Sequence, residues 1–232
     1  MVNRLSHKIL LTCEHAGYDI PEKYRLLFRD AGSTLKSHRG WDPGAMELAE
    51  SLSESWRAPL LSYPYSRLLI EPNRSEHHHK LFSEYSKCAG DEIKAELLER
   101  FYRPYREKIV NVVRESISNS GRLLHISVHT FTPVLCGKSR DFDIGLLYDP
   151  GRSTEKQIAA GWKTGLSEFF HVRMNQPYKG TADGLTTALR NYFPAEQYIG
   201  IELEVNQKYY FKKNTEWLMI CRKIAECNEI TA

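Results

Sequence analysis

Two histidines, His15 and His129, each stand where a short apolar run ends: Ile9-Leu10-Leu11-Thr12-Cys13 and Leu123-Leu124-His125-Ile126-Ser127-Val128. A third run, Tyr198 to Val205, carries Glu202 and Glu204 near its end, and Asp42 stands where a helical stretch opens. Two imidazoles and one carboxylate facing a shared crevice are the usual ligand set of a catalytic zinc that keeps one position open. A further glutamate beside them can take and return a proton. The ligands would come from distant segments and no H-E-x-x-H signature joins them, so spacing alone also admits hydrogen-bonded strand ends. Glu202 and Glu204 share one face by strand alternation. Two acids on one face of a central strand are costly unless paired or liganded, which favours a site. Arg67, Asn73 and Arg74 make a second cluster, in which a planar guanidinium suits bidentate binding of a carboxylate.

The elements that must position these groups alternate. Ile9–Cys13 reads as a strand buried on both faces. Ala45–Trp56 reads as a helix with Asp42 at its N-cap, Pro43 in its first turn and Leu48, Leu52 and Trp56 on one face. Leu60–Tyr63 is a second strand and Leu68–Ile70 a third, short one. Glu92–Ser118 is a long helical stretch that Pro104 kinks or divides. Strands follow at Leu123–Val128 and Asp143–Tyr148, then a helix at Ser153–Phe169 and a short strand from Val172. A loop at Tyr178–Asp183, the strand Tyr198–Val205 and a helix at Asn214–Cys227 complete the chain. Strands alternating with helices, with no hairpin signal, predict an α/β protein: one domain over residues 1–232, with a mostly parallel central sheet and helices on both faces. Ligands of such sheets bind beyond the carboxyl ends of the strands, where His15, His129 and Glu204 stand.

Composition narrows the function classes. The 232 residues are 41% apolar and 11% aromatic, with 32 basic against 29 acidic side chains, a formal charge of +3. That excess predicts no nucleic-acid surface. A mean hydropathy of −0.49 and no long apolar run predict no membrane span. The start, Met1 to Lys8, lacks the apolar core of a signal peptide. Cys13, Cys88, Cys136, Cys221 and Cys227 are scattered and odd in number, so neither a disulfide framework nor a cysteine zinc knuckle fits, and a reducing cytoplasm is expected. The cysteines read as buried apolar residues, and the tract His77-His78-His79 as an exposed loop with His77 or His79 lining the pocket. Three consecutive side chains do not converge readily on one ion.

Six motifs in order carry a family resemblance over Ile9 to Phe211: Cys13–Gly17, Trp41–Ala45, Ser66–Arg74, Ser127–Phe131, Asn175–Gly180 and Glu202–Gln207. In these the chain resembles the N-formylglutamate amidohydrolases, relatives of zinc carboxypeptidases, aspartoacylases and zinc cell-wall amidases with a phosphorylase/hydrolase-like α/β fold. The resemblance implies His15, Asp42 and His129 as ligands of zinc, with Glu47 and Glu14 as rival carboxylates for Asp42. It implies Glu204, ahead of Glu202, as the proton-transferring acid and Arg67 as an oxyanion donor. Asn73 and Arg74 would grip a substrate carboxylate. Lys179, Asp183 and Arg190 belong to a substrate-bordering loop and helix, in which Gly180 and Gly184 suggest glycine-only geometry. Glu71 departs from the family's usual Asp. The implied activity is hydrolysis of a linear amide in N-formyl-L-glutamate or a similar small N-acyl amino acid. The same ligand set also accepts manganese, iron or cobalt. A metabolite-binding protein on the same scaffold, or a cytoplasmic amidase of cell-wall peptides, are the competing readings.

Overall fold

The computed structural model describes residues 8–212 and 215–227. The reading of the first residues as lacking a signal peptide and the predicted helix start at Asn214 fall outside them. The strands are β1 (Lys8–Cys13), β2 (Leu60–Ser62), β3 (Leu123–Phe131), β4 (Val134–Leu135), β5 (Lys138–Ser139), β6 (Ile144–Leu147), β7 (Val172–Met174) and β8 (Tyr198–Asn206). The helices are α1 (Gly32–Leu35), α2 (Ala45–Trp56), α3 (Asp91–Leu97), α4 (Arg103–Ser120), α5 (Ser153–Leu166), α6 (Leu185–Tyr192), α7 (Lys208–Lys212) and α8 (Thr215–Glu226). Six strands form one sheet in the order β2-β1-β3-β8-β6-β7. The first four run parallel, and β6 is antiparallel to β8 and parallel to β7.

Alternation along the central strands sorts the core into two layers. Leu124, Ile126 and Val128 of β3 and Ile199, Ile201, Leu203 and Val205 of β8 pack with α2, α5 and α8. The opposite face holds α4 and α6, which bury Ile109, Val113, Leu185 and Leu189 against Leu10, Leu123 and Tyr198. Each fully buried Leu or Ile contributes about 1.5–3 kcal/mol relative to exposure, so both layers are anchored by burial. The expected α/β architecture, mostly parallel and covered on both faces, is the one observed.

Three details differ from the sequence reading, and a fourth follows it. Leu68–Ile70 is a buried turn and not a strand: Ser66 takes the Leu68 amide on its hydroxyl and the Leu69 amide on its carbonyl, so neither joins a sheet. β4 and β5 form a hairpin around Cys136 and Gly137, whose φ values of 49° and 74° are both left-handed, as a two-residue type I′ turn requires. The N-cap of α2 is Gly44 at φ 87°, where a Cβ would meet the Tyr210 ring at 2.6 Å, so Asp42 is free for another use. Pro104 does divide the long helix, since a π-helical turn at Leu98–Tyr102 separates α3 from α4.

Candidate active site

The carboxyl ends of β1, β3 and β8 lie side by side, with His129 level with Glu204 across the β3–β8 ladder. Because Ile126, Val128, Leu203 and Val205 point to the α2 layer, Ser127, His129, Glu202 and Glu204 face the other side. His15 follows β1 directly, and its carbonyl accepts the Asp42 amide at 3.0 Å, which fixes the Asp42 turn against it. His15 Nδ1, His129 Nδ1 and Asp42 Oδ2 then converge, separated by 3.1, 2.9 and 3.2 Å. All three residues are buried.

Donor chemistry tests whether a metal fits here. Zinc bonds of about 2.0–2.1 Å at tetrahedral angles place neighbouring donor atoms about 3.3 Å apart, close to the observed spacing. Two ring nitrogens 3.2 Å apart cannot both keep a proton pointed at the other, whereas a shared cation satisfies both. Behind each ring stands an acid. His15 Nε2 meets Glu71 Oε1 at 2.6 Å, and His129 Nε2 meets Glu14 Oε2 at 3.0 Å and Ser127 Oγ at 2.9 Å. Such outer carboxylates fix the tautomer that leaves Nδ1 free for metal. The residues fit a divalent cation.

Charge reinforces that arrangement. Burial raises the Glu14 carboxyl, but the His129 ring and hydroxyls of Ser127 and Thr12 outweigh it and hold Glu14 at about 2. Burial is likewise outweighed at Asp42 by both histidines, and at Glu71 by Arg67 and His15, so both stay well below the usual carboxylate range. Glu204 is the opposite case. It is 4% exposed, its Oε2 has no hydrogen-bond partner among the described residues, and burial, with Asp42 and Glu202 adding to it, pushes it up to about 8. Glu202 instead accepts the Thr186 hydroxyl.

A cavity of about 190 Å³ opens over this group, lined by His15, Asp42, Arg67, Asn73, Arg74, His129, Lys179, Asp183, Glu202 and Glu204. That volume lies below the usual range of about 300–1,000 Å³ for ligand pockets, which suits a small substrate. Arg67 donates to Glu71 through Nε at 2.6 Å, and its Nη1 lies 3.5 Å from Asp42 Oδ1. Lys179 is exposed and makes no ion pair among the described residues. Of the rival acids, Glu14 backs His129, while Glu47 is exposed on α2 away from the cavity. Sequence reasoning overlooked His38, Tyr178 and Gln207, which line the cavity. Only the motif membership of Tyr178 and Gln207 could have flagged them.

Other expectations need correction. Arg190 does not line the cavity. Its Nε meets buried Glu155 at 3.0 Å, and Nη1 and Nη2 donate to the carbonyls of Gly180 and Gly200 at 2.6 and 2.9 Å. With its donors spent it braces the fold, and Arg190→Ala is expected to cost about 3–5 kcal/mol of stability by leaving buried Glu155 without a counter-charge, with only the Asp149 and Gly200 amides to hold it. An unchanged urea midpoint would exclude that. His77 and His79 are exposed, but neither reaches the cavity. Gly180 is needed for close approach, since a Cβ would lie 2.2 Å from the Tyr148 amide, while Gly184 is simply extended at φ −175°. Cys88 and Cys136 are exposed and Cys227 is half-buried, so only Cys13 and Cys221 are buried as expected.

Among the described residues, no helix is long and apolar enough to cross a membrane. The N-formylglutamate amidohydrolase family matches residues 7–211. A gene product of Agrobacterium tumefaciens is 26% identical and superposes with a TM-score of 0.82, covering 96% of this chain and 89% of that one. An N-formylglutamate amidohydrolase from Ralstonia eutropha JMP134, 17% identical, shares the fold at a TM-score of 0.69 over 96% of this chain and 92% of that one. A search among curated proteins finds no match.

Proposed function

The chain belongs to the N-formylglutamate amidohydrolase family, and from that premise we propose that it hydrolyses the linear amide bond of N-formyl-L-glutamate, or of a similar small N-acyl amino acid, using zinc held by His15, Asp42 and His129. The observation that carries this reading is the unpartnered, buried Glu204 carboxylate beside those three converging donors. A protein that only bound a metabolite would gain nothing from an orphaned buried acid, which costs about 1–3 kcal/mol. The small cavity weighs against a cell-wall peptide as substrate. Bound there, a divalent ion supplies Lewis acidity and an acidified water.

The chain's own residues complete the chemistry. Glu204 removes the proton of the attacking water and delivers it to the departing amine nitrogen. The Arg67 guanidinium, held by Glu71, offers Nη1 to the carbonyl oxygen as negative charge develops. Asn73 and Arg74 hold the α-carboxylate in the ground state and the transition state alike. Glu14 and Glu71 keep both rings in orientation.

Chelation is the direct test. Removing metal is expected to abolish turnover of N-formyl-L-glutamate and added zinc to restore it. Activity in a verified metal-free protein would sink the reading. A second expectation concerns the carboxylate grip. Arg74→Ala is expected to keep the metal but lose about 2–4 kcal/mol in kcat/KM, roughly 30- to 1000-fold. The loss should be far smaller for a substrate whose α-carboxylate is an amide. Arg74 and Lys179 also motivate a preference of at least about 10-fold for acidic over neutral N-formyl amino acids. Equal kcat/KM for N-formylglutamate, N-formylmethionine and N-formylalanine would defeat that preference.

A further inference from the structure

Asn73 and Arg74 lie on an irregular segment, where side chains are held less precisely than on a strand or helix. Two sets of contacts brace it. From beneath, the Tyr102 hydroxyl, carried by the π-helical turn before α4, donates to the Arg74 carbonyl at 2.7 Å, and Arg106 donates to the Pro72 carbonyl at 3.1 Å. From the side comes the segment that opens α6. The Asp183 carbonyl accepts Arg74 Nη1, and Asp183 Oδ2 accepts the Ser75 amide at 3.0 Å and the Ser75 hydroxyl at 3.2 Å. Two residues on, the Leu185 amide donates to Asn73 Oδ1 at 2.7 Å.

This clasp decides which atoms face the cavity. With Oδ1 spent on Leu185, Asn73 keeps its Nδ2 donors for a ligand. Arg74 is held by a carbonyl and makes no salt bridge with a carboxylate among the described residues, so its charge is not neutralised. Asp183 lines the same cavity and is the acid nearest in the clasp, yet its carboxylate is occupied by the two Ser75 donors. An acid left loose there would compete with a substrate carboxylate for the guanidinium.

We propose that Asp183 is a positioning residue: bound to Ser75 and Arg74, it holds Asn73 and Arg74 in register with the cavity while its own charge is kept off Arg74. This rests on the reading of Asn73 and Arg74 as the carboxylate grip. A grip that holds the carboxylate equally in the ground state and the transition state contributes uniform binding, so loosening it falls on KM and leaves kcat nearly untouched. Asparagine keeps an acceptor oxygen for Ser75; alanine does not.

The experiment measures kcat and KM for N-formyl-L-glutamate and its α-carboxamide analogue in Asp183→Ala, Asp183→Asn, Arg74→Ala and the Arg74→Ala/Asp183→Ala pair. Asp183→Ala is expected to raise KM for the acid about 10-fold with kcat within about threefold. Asp183→Asn should stay within about threefold of the parent in both, neither should move the carboxamide, and the pair should match Arg74→Ala alone. Equal effects of Ala and Asn, additivity in the pair, or a loss confined to kcat would overturn the clasp. If Arg74→Ala raises KM and Asp183→Ala does not, the clasp fails alone. If Arg74→Ala leaves KM unchanged, the carboxylate reading fails and the clasp with it. Should Asp183→Ala unfold before assay, Ser75→Ala removes one donor to the same carboxylate and carries the same comparison, with the same outcomes decisive.

Discussion

His129→Ala is expected to lose bound metal and turnover together, with activity falling about 10⁴-fold or more if the ion supplies about 5 kcal/mol or more to the transition state. The ring is held from both sides, by Asp42 at Nδ1 and by Glu14 and Ser127 at Nε2. Removing it leaves two converging donors of the three and also strands Glu14, which is 0% exposed. That second consequence predicts a stability loss of about 3–5 kcal/mol, because an unpaired buried charge remains. The two effects separate in a double variant. His129→Ala/Glu14→Gln should recover much of the stability, since a neutral amide can still accept the Ser127 hydroxyl, and recover none of the metal. Elemental analysis and urea unfolding read the two losses independently. Metal content that survives in His129→Ala would remove His129 from the ligand set.

The parts of this site visible in the sequence are those that strand ends dictate. β1, β3 and β8 announce themselves as continuous apolar runs, and His15, His129 and Glu204 stand where those runs stop. Strand parity also places Glu14. Thr12 and Glu14 alternate with Leu11 and Cys13, which pack on the α2 layer, and so face the side that holds Ser127 and His129. That signal would have made Glu14 the partner of His129 and not a rival ligand. Arg190 is similar: with Thr186 and Leu189 it occupies one helical face, and all three are buried. Residues 132–143 carry no helix, and a parallel crossover needs a dozen or more residues, usually helical, so the reversed direction of β6 was also readable. Other contacts left no local trace. Glu71 meets His15 across 56 positions, and Asp183 meets Ser75 across 108. Contacts between irregular segments follow from tertiary closure, which no periodicity encodes.

Glu204→Gln is expected to retain the metal and the fold while lowering kcat about 10³- to 10⁴-fold, the upper part of the range for general acid–base catalysis, because one group serves both proton transfers. The substitution is nearly isosteric, and Glu204 Oε2 has no hydrogen-bond partner to lose among the described residues. A buried orphan acid is costly to the free protein, so stability should rise or stay level as activity collapses. The pH profile gives a second, independent readout. Burial pushes Glu204 up to about 8 in the metal-free chain, where its proton is held by desolvation and by the neighbouring acids Asp42 and Glu202. A divalent cation on the adjacent donors favours the carboxylate and moves that value down. The reaction needs the ionised form, so kcat/KM should fall as pH drops through the loaded enzyme's value, giving an acid limb below pH 8. That limb should vanish from the residual activity of Glu204→Gln. Glu202→Gln provides the contrast: its carboxylate already accepts the Thr186 hydroxyl, so its loss should leave the acid limb in place. If Glu202→Gln erases the limb and Glu204→Gln does not, the two acids must exchange roles.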